Sequence, residues 1–385
     1  VRIVQLANLY SPVSGGLRTA VDALGRGYVA AGHDRALVIP GRSGTWDETE
    51  SGLVVTVPGA SVAPGYRFVL DPRPMLRVLA RLRPDVIEVS DKATLVLAAR
   101  WARRRGVRTV LLSHERLDAI LAPHLPSRLP LEQATDRWNQ ALAGVFDAIV
   151  VTSEFAAAEF RRALGRRRSR GPVPSLHLVP LGVDLSTFRP SAGRNTSGGP
   201  GDGLVRLVHL GRLSREKSPG LALDTVRQLS RRGVPVRLDM AGDGPLAAGL
   251  RSAAEREGLP VDFHGHLPAR SAVARLLAGA DVALATCPAE SFGLAVLEAL
   301  ACGTPVVAAN RGAARELLAP GTGLAAAPHA GAFGDAVQEV LRWPDDQRRR
   351  AARTGAERYP WSATIAGMLD VLTGTASDRT RTALA

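Results

Sequence analysis

Short apolar runs alternate with stretches of helical spacing along nearly the whole chain. Runs at 3–6, 35–39, 54–57, 86–89, 107–112, 148–151 and 176–179 are rich in Val, Ile and Leu and too short for helices, so they predict buried strands. Between several of them apolar positions recur every three or four residues, predicting helices over 18–31, 73–82, 95–105, 133–144 and 156–164. Strands apolar at consecutive positions and separated by helices predict a parallel sheet covered on both faces. Residues 189–203 break the pattern with Pro, Gly and Ser and read as a linker. Alternation then resumes, with strands at 205–210, 237–241, 261–264, 282–286 and 305–309. Helices are predicted at 220–231, 246–258, 270–279, 294–301 and 311–318, and a last one at 361–374 that packs back onto the first domain. The resulting division is an α/β domain at 1–188, the linker 189–203, a second α/β domain at 204–360 and a C-terminal helix and frayed tail at 361–385. Two such domains imply a cleft, and open parallel sheets take their ligands beyond the carboxyl ends of the strands.

Several of those strand ends carry polar residues. After the run at 282–286 come Glu290, then Ser291, Phe292 and Gly293, then a helix from Leu294 that contains Glu298. A carboxylate just before a helix start and another two turns inside it suit a ligand with hydroxyls and phosphate, since the helix start offers backbone N–H groups to the anion. The competing reading makes Glu290 a loop acid and Glu298 a solvated helix residue. Glu298, however, sits among Val296, Leu297, Leu300 and Ala301, and a carboxylate buried there needs a partner. After the strand at 205–210 come Arg212 and Lys217, two cations able to neutralise a departing diphosphate. Glu216 is the alternative partner for them on a plain surface loop. Gly15 and Gly16 at the first strand-to-helix turn allow a ligand close to the backbone, but the G-x-G-x-x-G spacing is absent. His114 follows the run at 107–112, and His264 and His266 stand at the end of 261–264 without a third ligand, which excludes a metal site.

Composition narrows the classes. With 45% hydrophobic and 22% charged residues the chain folds around real cores. Cys287 and Cys302, the only cysteines, give no disulfide framework or metal spacing, in keeping with a reducing compartment. No apolar run has transmembrane length and the first residues lack a signal pattern, so a cytoplasmic protein is expected. The net charge of +13 is carried by arginine, Lys92 and Lys217 being the only lysines. Arginine clusters at 100–108, 161–170 and 348–353 read as solvated helix faces. Without a nucleic-acid-binding motif, and at 4% aromatic residues, a nucleic-acid partner is not expected. An anionic membrane surface remains a candidate partner for that charge; oligomeric state is not legible.

Taken together and in order, these pieces resemble the family-4 retaining glycosyltransferases. They are Gly15-Gly16, Pro180-Leu181-Gly182-Val183-Asp184, Gly211-Arg212 with Lys217, Ala241-Gly242-Asp243-Gly244-Pro245, and Glu290 to Glu298 followed by Ala301-Cys302-Gly303-Thr304-Pro305. The resemblance implies the GT-B fold, two Rossmann-like parallel-sheet domains facing a deep cleft. It implies that Glu290 touches the donor sugar with Ser291, Phe292, Gly293 and Leu294 around it, and that Glu298 binds ribose hydroxyls. Arg212 and Lys217 take the diphosphate, His264 to Leu267 the nucleobase, and His114 and Gly16 lie beside the transferred sugar. Gly15, Arg18, Asp91 and Asp118 fall on the acceptor side. The opening 4–10 and the segments 88–91 and 113–118 look most like actinobacterial α-mannosyltransferases acting on phosphatidylinositol mannosides. That implies a GDP-mannose donor, a glycolipid acceptor at the inner face of the membrane, and no metal or other cofactor. Two departures concern the acceptor side: Leu181 stands where relatives carry Asn, and Ser90-Asp91 where many carry His. A soluble acceptor, such as a natural product or an inositol phosphate, and a nucleotide-sugar epimerase of the same architecture are the alternatives.

Overall fold

Each apolar run read as a strand forms one, because a parallel sheet buried on both faces requires just such uninterrupted Val, Ile and Leu. The computed structural model describes residues 1–11, 15–63, 65–122, 130–166, 173–191 and 203–375. Most of the expected linker (192–202) and the tail beyond Thr375 lie outside the described residues. The chain divides into two units, Val1–Leu181 with Trp361–Ala385, and Gly182–Pro360.

The first unit is built on strands β1 (Arg2–Leu6), β2 (Asp34–Gly41), β3 (Thr45–Thr49), β4 (Gly52–Pro58), a hairpin of β5 (Ala60–Ala63) and β6 (Tyr66–Phe68), then β7 (Val86–Val89), β8 (Arg108–Ser113), β9 (Ala148–Val151) and β10 (Ser175–Leu178). Its helices are α1 (Gly16–Ala30), α2 (Pro72–Leu82), α3 (Val96–Arg103), α4 (Leu117–Leu121), α5 (Leu131–Ala143) and α6 (Glu154–Gly165). The main sheet runs β10-β9-β8-β7-β1-β2-β4-β3, parallel except for β3. Strand order reverses between β1 and β7, so their carboxyl ends open a crevice there. The exposed β3 and the β5–β6 hairpin escaped the sequence reading because they carry no buried apolar run.

The second unit comprises β11 (Val205–Leu210), α7 (Gly220–Arg231), β12 (Val236–Ala241), α8 (Ala247–Glu257), β13 (Val261–Gly265), α9 (Arg270–Gly279), β14 (Val282–Ala285), α10 (Leu294–Ala301), β15 (Val306–Ala309), β16 (Gly323–Ala326), α11 (Ala330–Arg342) and α12 (Asp345–Glu357). Its six strands are all parallel, in the order β13-β12-β11-β14-β15-β16, and reverse between β11 and β14. The helix expected at 311–318 is instead a loop ending in one 3-10 turn, Ala314–Leu317. Gly312 there has φ +82 and lies against the Glu290 backbone, a geometry a continuous helix could not supply. The strand β16 was missed because small residues form it; a Cβ on Gly323 would fall 1.9 Å from the Val306 carbonyl oxygen.

The last helix, α13 (Trp361–Thr373), lies in the first unit, where Met368, Val371 and Leu372 join a core with Ile3, Leu24, Tyr28 and Val110. Gly27 of α1 admits Ile365, whose Cδ1 would sit 2.3 Å from any added Cβ. The arginine cluster at 348–353 proves only in part a solvated face. Arg348 is 6% exposed and donates to the Val340, Leu341 and Trp343 carbonyls at the end of α11. Arg349 donates to Ala280 O, and Arg353 to Phe188 O and Ala301 O. Carbonyls at helix and turn ends attract these guanidinium groups inward.

Behind β7 and β8 lies a buried ion pair. Lys92 Nζ is 2.8 Å from Glu159 Oε2 and donates to Glu115 O at 2.7 Å, over the Phe160 ring. Glu159 Oε1 accepts the first N–H groups of α4, from Leu117 at 2.9 Å and Asp118 at 3.4 Å. Removing one charge strands the other in a dry interior. The variant Glu159→Gln is expected to lose about 3–5 kcal/mol from the first unit in urea unfolding. A loss under about 1 kcal/mol would show that water reaches Lys92.

Candidate active site

At the switch point of the second sheet the loops after β11 and β14 meet. The Arg215–Lys217 turn ends at Ser218, which adopts φ +49. Thr286 Oγ1 donates to Lys217 O at 2.9 Å and Cys287 Sγ to Glu216 O at 3.2 Å, tying the two loops together. Lys217 Nζ then reaches Glu290 Oε2 at 2.8 Å. Glu216 holds the Ser214 hydroxyl instead of taking Lys217, so the surface-loop alternative does not describe this lysine. Burial opposes both charges. Glu290 outweighs it for Lys217, raising the ammonium pKa, with Cys287 and Glu216 adding to the effect. Lys217 and the backbone N–H groups of Phe292 and Ser291 outweigh it for Glu290, whose carboxyl is held below its ordinary range. Both side chains keep a face to solvent, 32% and 22% exposed. The pair is charged, desolvated on one side and accessible on the other, which suits a ligand bearing both hydroxyls and phosphate.

Glycines hold this geometry. A Cβ on Gly242, at φ +137, would lie 1.9 Å from Gly211 O, so the loop after β12 presses onto the loop that carries Arg212. Arg212 itself is exposed there. Beneath Glu290, Ala313 N donates to its carbonyl at 2.7 Å, the contact that 311–318 makes instead of forming a helix. Gly293, at φ +103, turns the chain into α10, with Phe292 buried and Leu294 opening the helix. The Ser291 and Phe292 N–H groups help lower the Glu290 pKa.

Glu298 is 4% exposed and has the partner its apolar surroundings demand, Arg270 Nη2 at 2.8 Å from Oε1. Burial raises its pKa even so, with Arg270 opposing. Sequence reasoning missed Arg270, because nothing in its local pattern marks it; only the need for a counter-charge at Glu298 signalled that some cation existed. His264 Nε2 is 2.6 Å from Asp239 Oδ1, and Leu267 follows, partly exposed, on the loop after β13.

In the first unit, Gly15 is exposed with open space at its Cβ, and Gly16 begins α1. Arg18 pairs with Asp22 at 3.5 Å. Asp91, after β7, accepts from Ala93 N and Leu95 N to shape the turn into α3 and receives Asn8 Nδ2 at 3.1 Å. Asp118 is held between Arg116 at 2.7 Å and Arg162 at 2.9 Å. Burial opposes its charge, yet those arginines lower its pKa, so its structural load is to fix the chain after His114. His114 Nε2 lies 3.6 Å from Glu115 Oε1, with its side chain 20% exposed. Among the described residues, no group of three or more His, Cys, Asp or Glu could hold a metal ion.

His209 adds a feature that the sequence did not flag. It is 3% exposed on β11, and its Nδ1 lies 3.0 Å from Leu284 O on β14, just past the paired residues Val208 and Ala283. Burial, then Lys217, push its pKa down to about 4, so the ring is neutral and donates through Nδ1. Between the ordinary value of 6.5 and about 4 the unfolded chain binds a proton that the folded chain refuses. Stability at this site therefore falls with pH across that window, by up to about 3 kcal/mol. In His209→Asn, whose amide can still donate to Leu284, stability relative to the parent is expected to improve by about 2 kcal/mol between pH 7 and pH 4.5 in urea titrations. A difference independent of pH would place the acid sensitivity elsewhere.

Comparison with known proteins places this geometry in a family. Residues 14–187 match the model described as Glycosyltransferase Family 4, and residues 198–358 the model described as Glycosyl transferases group 1. The GDP-mannose-dependent alpha-(1-6)-phosphatidylinositol dimannoside mannosyltransferase of Mycobacterium tuberculosis is 43% identical over 97% of this chain and 96% of its own length. The D-inositol 3-phosphate glycosyltransferase of Xylanimonas cellulosilytica is 30% identical over 74% of this chain and 69% of its own. Among solved structures, sucrose-phosphate synthase from Thermosynechococcus elongatus superposes with a TM-score of 0.78 at 20% identity, covering 97% of this chain and 98% of that one. An Anabaena protein solved with UDP and glucose gives 0.73 at 18% identity, covering 96% and 99%. The fold is of the GT-B class, and the chain belongs to glycosyltransferase family 4.

Proposed function

We propose that this enzyme transfers mannose from GDP-mannose, with retention at the anomeric carbon, to a hydroxyl of a phosphatidylinositol mannoside. The observation that carries the reading is the Lys217–Glu290 pair at the switch point of the second sheet, with Glu298 eight residues further on. The mycobacterial relative's stated donor and acceptor support mannose, guanosine diphosphate and a glycolipid. In this reading Lys217 and Arg212 stabilise the departing diphosphate, and Glu290 orients the sugar. Ser291, Phe292, Gly293 and Leu294 line the sugar's approach, and Glu298 accepts the ribose hydroxyls. Residues 264–267 hold the base. His114 and Gly16 face the transferred sugar, with Gly15, Arg18 and Asp91 toward the acceptor and Asp118 acting through the His114 loop. The bond from the anomeric carbon to the diphosphate oxygen breaks, the bond to the acceptor oxygen forms, and the acceptor proton passes to the leaving phosphate. The two cations supply the charge a divalent metal would bring, so no cofactor is required and turnover persists in a chelator.

A glycolipid acceptor brings the enzyme to an anionic surface, which a net charge of +13 favours. Arg73, Arg77 and Arg81 lie exposed along α2, Arg81 over the Trp46 ring. Among the described residues no helix is long and apolar enough to cross a membrane, so the proposed association is peripheral. The inositol-phosphate relative favours a second reading, a soluble inositol phosphate as acceptor.

Supplying GDP-mannose with either phosphatidylinositol dimannoside in vesicles or inositol 3-phosphate separates the two, the lipid being the expected acceptor and the product's anomer being read by NMR. At saturating donor, Lys217→Ala is expected to lower kcat about 100- to 1000-fold. Near-parental turnover would remove Lys217 from the diphosphate site. Binding to vesicles containing anionic lipid is expected to exceed binding to neutral ones and to weaken with salt; equal binding to both would exclude the charge-driven surface.

A further inference from the structure

Glu298 does not stand alone. Arg270, the first residue of α9, gives one Nη2 donor to Glu298 Oε1 at 2.8 Å and leaves 44% of its side chain exposed. Its guanidinium carbon lies 4.7 Å from the centre of the Phe188 ring, which is fully buried. Phe188 is itself held at both ends. Asp184 accepts from Ser186 N at 3.0 Å and Thr187 N at 3.1 Å, closing a turn in which Phe188 N donates to Asp184 O at 2.9 Å. Arg353 from α12 then donates to Phe188 O at 2.8 Å and to Ala301 O, one turn beyond Glu298, at 3.0 Å. The ring that carries Arg270 and the helix that carries Glu298 are therefore fastened to one guanidinium.

This arrangement has a chemical consequence. A carboxylate offers about four lone-pair directions, and Arg270 takes one of them, on Oε1. The others remain for donors, and a ribose diol supplies two hydroxyl donors side by side. Without a counter-charge, a carboxylate among Val296, Leu297 and Leu300 would rather be a neutral acid, which accepts such hydroxyls poorly. Contact with the ring restrains the guanidinium, and through the ion pair it restrains the carboxylate.

We propose that Arg270, seated on Phe188, is a positioning residue that keeps Glu298 a carboxylate aimed at a ribose diol, so that the Arg270–Glu298 pair reads the nucleotide's 2′ and 3′ hydroxyls. This deepens, and rests on, the reading of Glu298 as the ribose-binding group. Arg270 acts through Glu298, and its contribution is confined to nucleotides that bear the diol.

Calorimetric Kd values for GDP and for 2′,3′-dideoxy-GDP test the idea on the whole chain. The parent is expected to favour GDP by about 100-fold, from two hydroxyls donating to an ionised acceptor. Glu298→Gln should bring that preference below about 5-fold. Arg270→Gln should cut it by about 10-fold while leaving the dideoxynucleotide Kd within about 2-fold of the parent, and Arg270→Lys should restore part of it. Phe188→Leu should move the preference the same way by a smaller factor, providing a second variant should Arg270→Gln fold poorly. If Arg270→Gln and Phe188→Leu weaken both nucleotides equally and keep the preference, Arg270 is a fold contact and the inference falls while the role of Glu298 stands. If the parent shows no preference, or Glu298→Gln retains it, the ribose reading falls and the inference with it.

Discussion

A single contact organises the candidate chemistry: the 2.8 Å pair of Lys217 and Glu290, formed where strand order reverses between β11 and β14. Neither residue is near the other in sequence, and each offsets part of the other's desolvation. The crevice exists because chains leaving adjacent parallel strands at a switch point turn to opposite faces of the sheet. Surrounding features serve that contact. Gly242 lets one loop press on another, Gly312 and Ala313 support the Glu290 backbone, and Thr286 and Cys287 fasten the loop that bears Lys217.

The same logic recurs in the first unit with a different purpose. Lys92 and Glu159 form a buried pair that fixes the start of α4, and Arg116, Asp118, Arg162 and Asp136 extend it as a chain of charges. These groups position the loop after β8 that presents His114. Several other arginines are structural in this sense. Arg348, Arg349 and Arg353 turn inward onto carbonyl groups at helix and loop ends. A guanidinium with five donors can satisfy several such carbonyls at once, which lysine cannot match.

The strands were legible because burial on both faces writes an unbroken apolar run, and the helices between them because their spacing is periodic. The strands that escaped lacked that imprint: β16, made of small residues, and the exposed β3. The helices α11 and α12 also went unread, although α11 carries the periodic spacing of Phe333, Ala336, Val337 and Val340. The helix expected at 311–318 failed for a different reason. Its composition is helical, but its backbone is committed to Glu290. Tertiary demand overrode local propensity there.

By itself the sequence determined the alternation of two α/β domains, the loops on which the polar residues stand, and, through the order of its motifs, the family. Each of these is written locally, in periodicity and spacing. Partnership is not local. That Lys217 takes Glu290 and not Glu216, that Glu298 depends on Arg270, that Arg270 rests on Phe188 and that burial keeps His209 neutral were decided only when distant strands and helices met. The reason is energetic: the cost of burying a charge or an imidazole depends on what lies within hydrogen-bonding distance in the folded chain, and sequence separation carries no information about that distance.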